Sequence, residues 1–415
     1  MNRRAVENEP STDAASFNGA LSLRTYFNVF KFRMGMTFKT KRIYNHPFVA
    51  YIEPTSYCNL RCPACPTGLR SPARESAAIK IDRFCELIDR LSPYLMSLYF
   101  YNWGEPLLHR ECSKMIRYAA QKGIKVFVSS NLSIPLSDER IHELVKSGLY
   151  SLKVGLDGVD QQSYEQYRRE GKFDLVVSNI EKIVKFKRME NSSTPILSAT
   201  YHVFKHNENS IDDARKLTER IGMDRFIVAP SFIPPEEDHA GIEAPSNPAL
   251  TMFNHLKESF TRERTCSWLY GAVVHNPNGS ISPCCGISHE EDDFGRWDKD
   301  EDIYAVMNNE QYTRARKIVK DNKDISFRTD DGMGFTQIQI DRSREVVCAK
   351  CPTPYQWGRI KSDLQIIVGA LYGDFKRAGL GMKIYFALCY LLMGAPFFSQ
   401  GVLRLLGKDK KALRG

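Results

Sequence analysis

CNLRCPAC, residues 58–65, places Cys58, Cys62 and Cys65 in a C-x3-C-x2-C pattern directly after an apolar run. Three thiolates at this spacing can bind three irons of a [4Fe–4S] cluster and leave the fourth iron open to a small molecule. The alternatives are a zinc knuckle or three buried thiols, but zinc usually takes four ligands, often as paired Cys and His sets. No fourth Cys or His lies close by in the sequence, so we expect an iron–sulfur cluster here.

The composition is that of a globular protein with an excess of positive charge. The 415 residues are enough for one large or two medium domains. The net charge of +9 suits a partner with phosphates or an anionic surface. Residues 1–15 are polar and lack the apolar core of a signal peptide, and no run reaches the roughly 18 apolar residues of a confident membrane span. We therefore expect a cytoplasmic location, where the 11 cysteines serve metal or redox chemistry rather than disulfides.

From residue 47 to 230 the pattern alternates between strands and helices. Apolar, β-rich runs predict strands at 48–53, 96–101, 124–129, 151–156, 196–203 and 226–229. Helical periodicity falls between them, at 81–91, 110–122, 137–147, 173–188 and 210–221. Gly123, Gly148 and Gly222 stand where helices would end. This α/β alternation predicts a parallel sheet with right-handed crossovers, and six such units would form a partial (βα)6 TIM-like barrel.

Chemistry in such barrels is found at the carboxyl ends of the strands. The cysteine stretch follows the first strand, which is the expected place. Glu53, Asp157, Tyr201 and His202 lie on or near strand ends and are candidates for a general base. His202 is also open to a purely structural role as a hydrogen-bond donor.

The cysteine stretch and later motifs, in their order, resemble those of the radical S-adenosylmethionine (radical SAM) superfamily. After the second strand, Asn102-Trp103-Gly104-Glu105-Pro106 resembles the family's GGEP motif, with Trp103 in place of the first glycine. After the fourth strand, Gly155-Leu156-Asp157-Gly158, followed by Tyr164, Tyr167 and Arg168, looks like the run SLDG…Y…R. The resemblance covers roughly residues 48–358 and implies the partial barrel fold.

The resemblance also implies the cofactors. The [4Fe–4S] cluster on the three cysteines would bind SAM through its open iron, cleave it with one electron, and release a 5′-deoxyadenosyl radical that abstracts hydrogen from substrate. A reducing protein such as flavodoxin or ferredoxin would supply the electron. The residues expected to bind SAM are Gly104, Glu105, Ser129, Asn131, Asp157 and Arg168.

A second set of cysteines resembles the SPASM/twitch extension of the family. Cys266 and Cys284 flank Gly279, and Cys348 and Cys351 form a later C-x2-C pair. The resemblance implies one auxiliary [4Fe–4S] cluster with these four ligands, and Cys285 could replace Cys284. A four-cysteine zinc site is the alternative that the ligand count permits.

Basic and apolar segments flank this catalytic body. Residues 21–42 interleave aromatic with basic side chains, and they could meet an anionic membrane surface or pack on the barrel with a solvated basic face. Residues 384–398 are apolar but broken by Gly394-Ala395-Pro396, and a membrane-surface helix or a helical pair on the barrel would fit. The chain would thus be cytoplasmic, with peripheral contact at the inner face of the membrane.

These patterns predict five segments: 1–46, disordered and then basic and amphipathic; 47–230, the barrel; 231–262, a linker or lid; 263–360, the auxiliary-cluster domain; and 361–415, a basic helical tail. We expect hydrogen abstraction from a small or lipid-linked, sugar-like or envelope substrate, with the auxiliary cluster as electron acceptor or substrate anchor. No nucleic acid is expected as a partner. The alternatives are a SPASM-type peptide or protein maturase and a metal-binding scaffold without catalysis.

Overall fold

The computed structural model of the chain describes residues 23–70, 74–231, 241–247, 250–251, 266–297 and 301–321. Cys348, Cys351 and the apolar tail lie outside these residues, as does most of the predicted linker. The auxiliary cluster and the tail therefore stay predictions.

Eight strands of the described residues form one sheet, in the order β6-β5-β4-β3-β2-β1-β7-β8. Every neighbouring pair is parallel except β7 with β8. The strands are β1 (Val49–Ile52), β2 (Ser97–Tyr99), β3 (Lys125–Ser130), β4 (Ser151–Gly155), β5 (Ile196–Val203), β6 (Arg225–Pro230), β7 (Ala272–His275) and β8 (Ile281–Ser282). The sequence prediction of six parallel strands is confirmed by β1 to β6, and the mixed α/β architecture fits a partial barrel.

Helices lie between the strands, before β1 and after β8. They are α1 (Leu23–Thr37), α2 (Ile81–Leu91), α3 (Cys112–Gln121), α4 (Asp138–Val145), α5 (Gln161–Tyr167), α6 (Phe173–Met189), α7 (Ile211–Arg220), α8 (Trp268–Gly271), α9 (Ile303–Val306) and α10 (Glu310–Asp321).

Helix α2 shows how the sequence builds this layer. Phe84, Leu87, Ile88 and Leu91 recur at helical spacing, and all four are buried. Phe84 meets Phe100, just beyond β2, with ring centroids 5.0 Å apart. The helices therefore bury their apolar faces against strands that are themselves apolar, as parallel sheets require.

Glycines end three of the connecting helices as expected. Gly123, Gly148 and Gly222 have φ angles of 79°, 80° and 81°. This left-handed backbone terminates a helix with little steric cost only when the residue has no Cβ. The chain can then turn directly into β3, β4 and β6.

Strand β7 joins the barrel sheet at the free edge of β1. Val49 to Ile52 pair in register with Ala272 to His275. Residues that the sequence analysis assigned to the auxiliary domain thus extend the sheet that carries the cysteine stretch.

Helix α1 packs on this same region. Val29, Phe32 and Met36 are buried, and the Phe32 ring meets Phe48 edge-on at 4.9 Å. Phe27, on the opposite side of the helix, is 51% exposed, and Phe38, directly after the helix, is 61% exposed. The helix thus packs on the barrel with one face, and the opposite face and the residue after the helix present aromatic side chains. Within the described ranges, we find no helix with the length and apolar character needed to cross a membrane.

Candidate active site at the carboxyl ends of the strands

The three cysteines lie on the loop that follows β1. Cys62 is buried, and Cys58 and Cys65 are half-buried. The loop is held by Cys65 N–H, which donates to the Cys62 carbonyl at 3.2 Å, and by Arg61 Nη1, which donates to the Cys58 and Leu60 carbonyls at 3.2 and 2.8 Å. The loop is therefore fixed by its own backbone and by an arginine folded over it.

Burial and nearby donors set the electrostatics of these sulfurs. Burial raises the pKa of Cys58 to about 12 and that of Cys62 to about 11, so both are thiols at neutral pH unless a cation replaces the proton. The Leu60 N–H and Asn131 Nδ2 lie 3.5 and 3.8 Å from the Cys58 sulfur, and Arg168 Nη1 lies 3.8 Å from that of Cys62. These N–H groups suit sulfur that has become anionic by binding iron, so the donor set fits an iron–sulfur cluster.

Within the described part of the chain, no three His, Cys, Asp or Glu side chains converge on one position for a single metal ion. The thiolates around an iron–sulfur cluster each bind a different iron, so they need not converge in this way.

The loop after β2 is hydrogen-bonded to the start of the cysteine loop and packs closely against it. Glu105 N–H donates to the Tyr57 carbonyl at 2.7 Å, and a Cβ on Gly104 would collide with the Thr55 carbonyl. The N–H groups of Trp103 and Gly104 both donate to Oε1 of the buried Glu53, at 2.7 and 2.6 Å. Gly104 thus has to be glycine, because the two backbones approach too closely for any side chain.

Glu105 ties the second loop to the third. Its buried carboxylate accepts hydrogen bonds from Leu107 N–H, Ser130 Oγ and Asn131 N–H, at 3.0, 2.8 and 2.7 Å. These three donors fix its side chain within the loop scaffold, and its predicted contact with SAM stays a prediction. Ser130, which is not among the residues expected to bind SAM, is its partner, while Ser129 is half-buried on the other face of β3.

Asp157 organises the far side of the site. It is fully buried, accepts from Arg168 Nε at 2.5 Å, and accepts from the His202 N–H at 2.6 Å with the His202 ring Nδ1 at 3.0 Å. Burial alone would raise the pKa of Asp157, but Arg168 and His202 outweigh it and lower the pKa to about 2. Asp157 is therefore an ionised anchor that aims Arg168 at Cys62. Gly155 leaves the room that the guanidinium occupies, since a Cβ there would collide with it.

Tyr201 does not share this site. Its ring is buried in a small cluster with Val203 and Ala214 on the helix side of β5, and its hydroxyl donates to the Asn207 carbonyl at 3.0 Å. Because neighbouring strand residues face opposite sides, His202 points to Asp157 and Tyr201 points away. We therefore do not retain Tyr201 as a candidate base.

Cys266 and Cys284, two of the predicted auxiliary ligands, are half-buried and pack against the main hydrophobic core, as does Cys285. The structure does not describe their predicted partners Cys348 and Cys351.

Sequence reasoning missed the contacts that join the segment 266–297 to the site. Arg74 Nη1 and Nη2 pair with Asp293 at 2.5 and 2.9 Å, and Trp103 Nε1 donates to the Ile287 carbonyl at 2.8 Å. No local signal marks Arg74 and Asp293 as partners, because they are 219 residues apart.

Residues 52–217 match the family model described as "Radical SAM superfamily". Among curated proteins, the chain is 24% identical over 300 residues to the "Tungsten-containing aldehyde ferredoxin oxidoreductase cofactor-modifying protein" of Pyrococcus furiosus, which covers 65% of this chain and 83% of the relative. It is 22% identical over 289 residues to GTP 3′,8-cyclase of Clostridium botulinum (strain Okra / Type B1), which covers 63% of this chain and 89% of the relative.

Among solved structures, the chain resembles Streptococcus suis SuiB bound to S-adenosylmethionine, with a TM-score of 0.53, 15% identity and 72% of each chain covered. SuiB bound to the precursor peptide SuiA gives a TM-score of 0.51, 15% identity, and coverage of 69% of this chain and 70% of that one. At such identities the likeness concerns the fold alone. The family match, the cysteine loop and the barrel agree, and the chain carries a radical SAM domain at residues 52–217.

Proposed function

We propose that the protein is a radical SAM enzyme that reductively cleaves SAM to a 5′-deoxyadenosyl radical and abstracts hydrogen from a small or lipid-linked, sugar-like or envelope substrate. The observation that carries this proposal is the loop of Cys58, Cys62 and Cys65 after β1, in which the Cys58 sulfur faces N–H donors from Leu60 and Asn131 and the Cys62 sulfur faces one from Arg168. A [4Fe–4S] cluster bound there would supply the electron for SAM cleavage.

In this proposal, residues around the cysteine loop would bind and orient the cluster. Arg168, held by Asp157, places a positive charge beside Cys62 and lowers the cost of negative charge there. Glu105 fixes Asn131, whose side chain lies beside Cys58. The Gly104 loop packs closely against Thr55 and so helps to position the start of the cysteine loop. In this proposal Cys266, Cys284, Cys348 and Cys351 would hold an auxiliary cluster as electron acceptor or substrate anchor, and flavodoxin or ferredoxin would be the reductant.

Two relatives support a small substrate, since one is named for modifying a cofactor and the other for cyclising GTP. The exposed aromatic and basic surface of the N-terminal segment supports contact with an anionic membrane. Phe27 and Phe38 are largely exposed, Lys31 Nζ lies 4.9 Å from the Phe27 ring centre, and Lys41 and Arg42 are exposed. This part of the proposal fails if the purified protein does not sediment with phosphatidylglycerol vesicles at low salt.

The test of the activity is anaerobic reconstitution, a count of iron and sulfide, and an assay of 5′-deoxyadenosine with dithionite as reductant. We expect about 8 irons in the wild type and about 4 in Cys58→Ala/Cys62→Ala/Cys65→Ala, with loss of 5′-deoxyadenosine. Cys85→Ala, on α2 outside the site, is the control and should keep both. The proposal is contradicted if wild-type protein with its full iron content produces no 5′-deoxyadenosine from SAM, whether or not a candidate substrate is present.

A further inference from the structure

A cavity of about 400 Å³ lies beside the cysteine loop. This volume is within the range of small-molecule sites. The described residues that line it include Glu53, Cys58, Arg61, Arg70 and Trp103, and none of Asn131, Asp157 or Arg168 is among them. The cavity is therefore next to the predicted cluster but is separate from the residues that surround Cys62.

Glu53 is a buried carboxylate in the lining of this cavity. Only 1% of the residue is exposed, and Oε1 accepts both N–H groups of the Trp103–Gly104 loop. Oε2 is buried and has no hydrogen-bond partner among the described residues. A buried carboxylate oxygen without a donor is costly unless a ligand supplies one. Burial raises the pKa of Glu53 to about 7, so the group can accept from or donate to a ligand near neutral pH.

The arginines of the lining give the cavity a positive character. Arg74 is neutralised by its paired contact with Asp293. Within the described ranges, the Arg61 guanidinium donates only to backbone carbonyls, and its Nε is buried without an acceptor. In the part of the chain that the structure describes, the Arg70 side chain makes no hydrogen bond or ion pair and is exposed. Two guanidinium groups are thus available to an anion, for which arginine is well suited.

We infer that this cavity is the substrate pocket, that Arg61 and Arg70 bind a phosphate or carboxylate group of the substrate, and that Glu53 Oε2 hydrogen bonds to an amino or hydroxyl group of the same molecule. This inference rests on the proposed function and narrows its substrate to an anionic molecule with a second polar group.

The test is calorimetric titration of the reconstituted protein with ethyl phosphate and with phosphoethanolamine, in the presence of saturating SAM. Both probes carry the anion, and only phosphoethanolamine adds an ammonium for Glu53. We expect both to bind, and phosphoethanolamine to bind about fivefold more tightly, the effect of one ordinary hydrogen bond. Arg70→Gln should weaken both probes by about fivefold, and Glu53→Gln should abolish the preference for phosphoethanolamine.

The matched controls are Arg117→Gln on α3 and Glu219→Gln on α7, both exposed, and they should change neither affinity. Displacement of ethyl phosphate by SAM, failure of either probe to bind, or an Arg70→Gln variant with wild-type affinities would overturn the inference. If Glu53→Gln does not fold, the Arg70→Gln titration decides alone.

The same samples are assayed for iron and SAM cleavage. Protein that cleaves SAM without binding ethyl phosphate contradicts only the pocket. Protein that binds ethyl phosphate without cleaving SAM contradicts the proposed function.

Discussion

Glu53 illustrates how one buried side chain connects stability to the site. Its Oε1 holds the loop after β2 against the cysteine loop, and its environment disfavours the charge that would make it a strong acceptor. Arg74 and Asp293 are the charged groups that act on it from neighbouring segments. Ionising the buried Glu53 therefore costs free energy, whereas its Oε1 can accept the two loop N–H groups in either protonation state.

This cost predicts a pH dependence of stability. Burial raises the pKa of Glu53 from 4.5 to about 7 in the folded state. Its contribution to the free energy of unfolding is therefore complete below about pH 4.5 and is lost as the pH rises through about 7, by about 3 kcal/mol in total. Glu53→Gln cannot ionise, so its stability relative to wild type should increase between pH 5 and pH 8 in urea unfolding.

Glu219→Gln, exposed on α7, is the control for this measurement and should follow the wild-type pH profile. Parallel pH profiles for wild type and Glu53→Gln would show that Glu53 does not titrate in this range.

The buried ion pair of Asp157 with Arg168 predicts a large loss of stability when the carboxylate is removed. Its substitution by Asn leaves the guanidinium of Arg168, whose side chain is only 16% exposed, without its carboxylate. Removing one partner of a buried pair costs about 3 kcal/mol or more. We expect a loss of this size in the free energy of unfolding. Asp138→Asn, which breaks an exposed pair with Lys182 at 2.8 Å, should have little effect, and equal losses in the two variants would refute the assignment of Asp157 as an anchor.

The alternation of side chains along β5 explains why the choice of Tyr201 as a candidate base was wrong. Tyr201 and His202 are neighbours near a strand end, and the sequence analysis treated them alike. Only one of two successive strand residues can face the site, and pairing His202 with Asp157 would have excluded Tyr201.

At the scale of elements, the loops after β1 and β2 form one interlocked unit. Gly104 sits against the Thr55 carbonyl, and the Glu105 N–H binds the Tyr57 carbonyl. The cysteine loop is therefore positioned by the loop after the next strand as well as by its own strand.

Gly104→Ala should separate these loops. The added Cβ would collide with backbone, which cannot move as a flexible side chain can, so we expect a loss of about 3 kcal/mol or more in the free energy of unfolding and a lower iron content after reconstitution. Gly123→Ala is the matched control. A Cβ there meets no atom within 4 Å, and only its φ of 79° opposes it, so we expect about 1 kcal/mol and full iron loading. Similar iron contents in the two variants would argue against the interlock.

The strands and long helices of the barrel could be predicted because their periodicity is strong over many residues. Helix α5 was not predicted, because its seven residues, QQSYEQY, bury only Tyr164 and carry no apolar stripe. Strand β7 was not predicted either, because four residues give too little pattern and its register depends on the distant β1. The three cysteines and Gly104 could be located from sequence, whereas Arg74 and the pairing of Glu105 with Ser130 depend on long-range contacts.

Across the whole molecule, residues from both ends of the described chain are hydrogen-bonded to each other near β1 and β7. Arg316 on α10 is fully buried and donates to the carbonyls of Leu269, Met307 and Lys41. Asn308 binds both backbone groups of Ile43. The segment around β7, the helices after it and the chain before β1 are thus joined by buried hydrogen bonds.

These bonds predict that the barrel and the segment 266–321 unfold together. Arg316→Ala leaves several buried carbonyls without donors and creates a void, so we expect a loss of about 3 kcal/mol or more. Because β7 pairs directly with β1, the loss should lower the thermal midpoint measured by far-ultraviolet circular dichroism and by tryptophan fluorescence to the same extent. Arg314→Ala, exposed on the same helix, should leave both midpoints unchanged. Of the described tryptophans, Trp268 and Trp297 lie near β7, and the indole of Trp103 is hydrogen-bonded to Ile287 of the same segment. A midpoint that falls for fluorescence alone would therefore mean that this segment is a separate unit docked on a barrel that is stable without it.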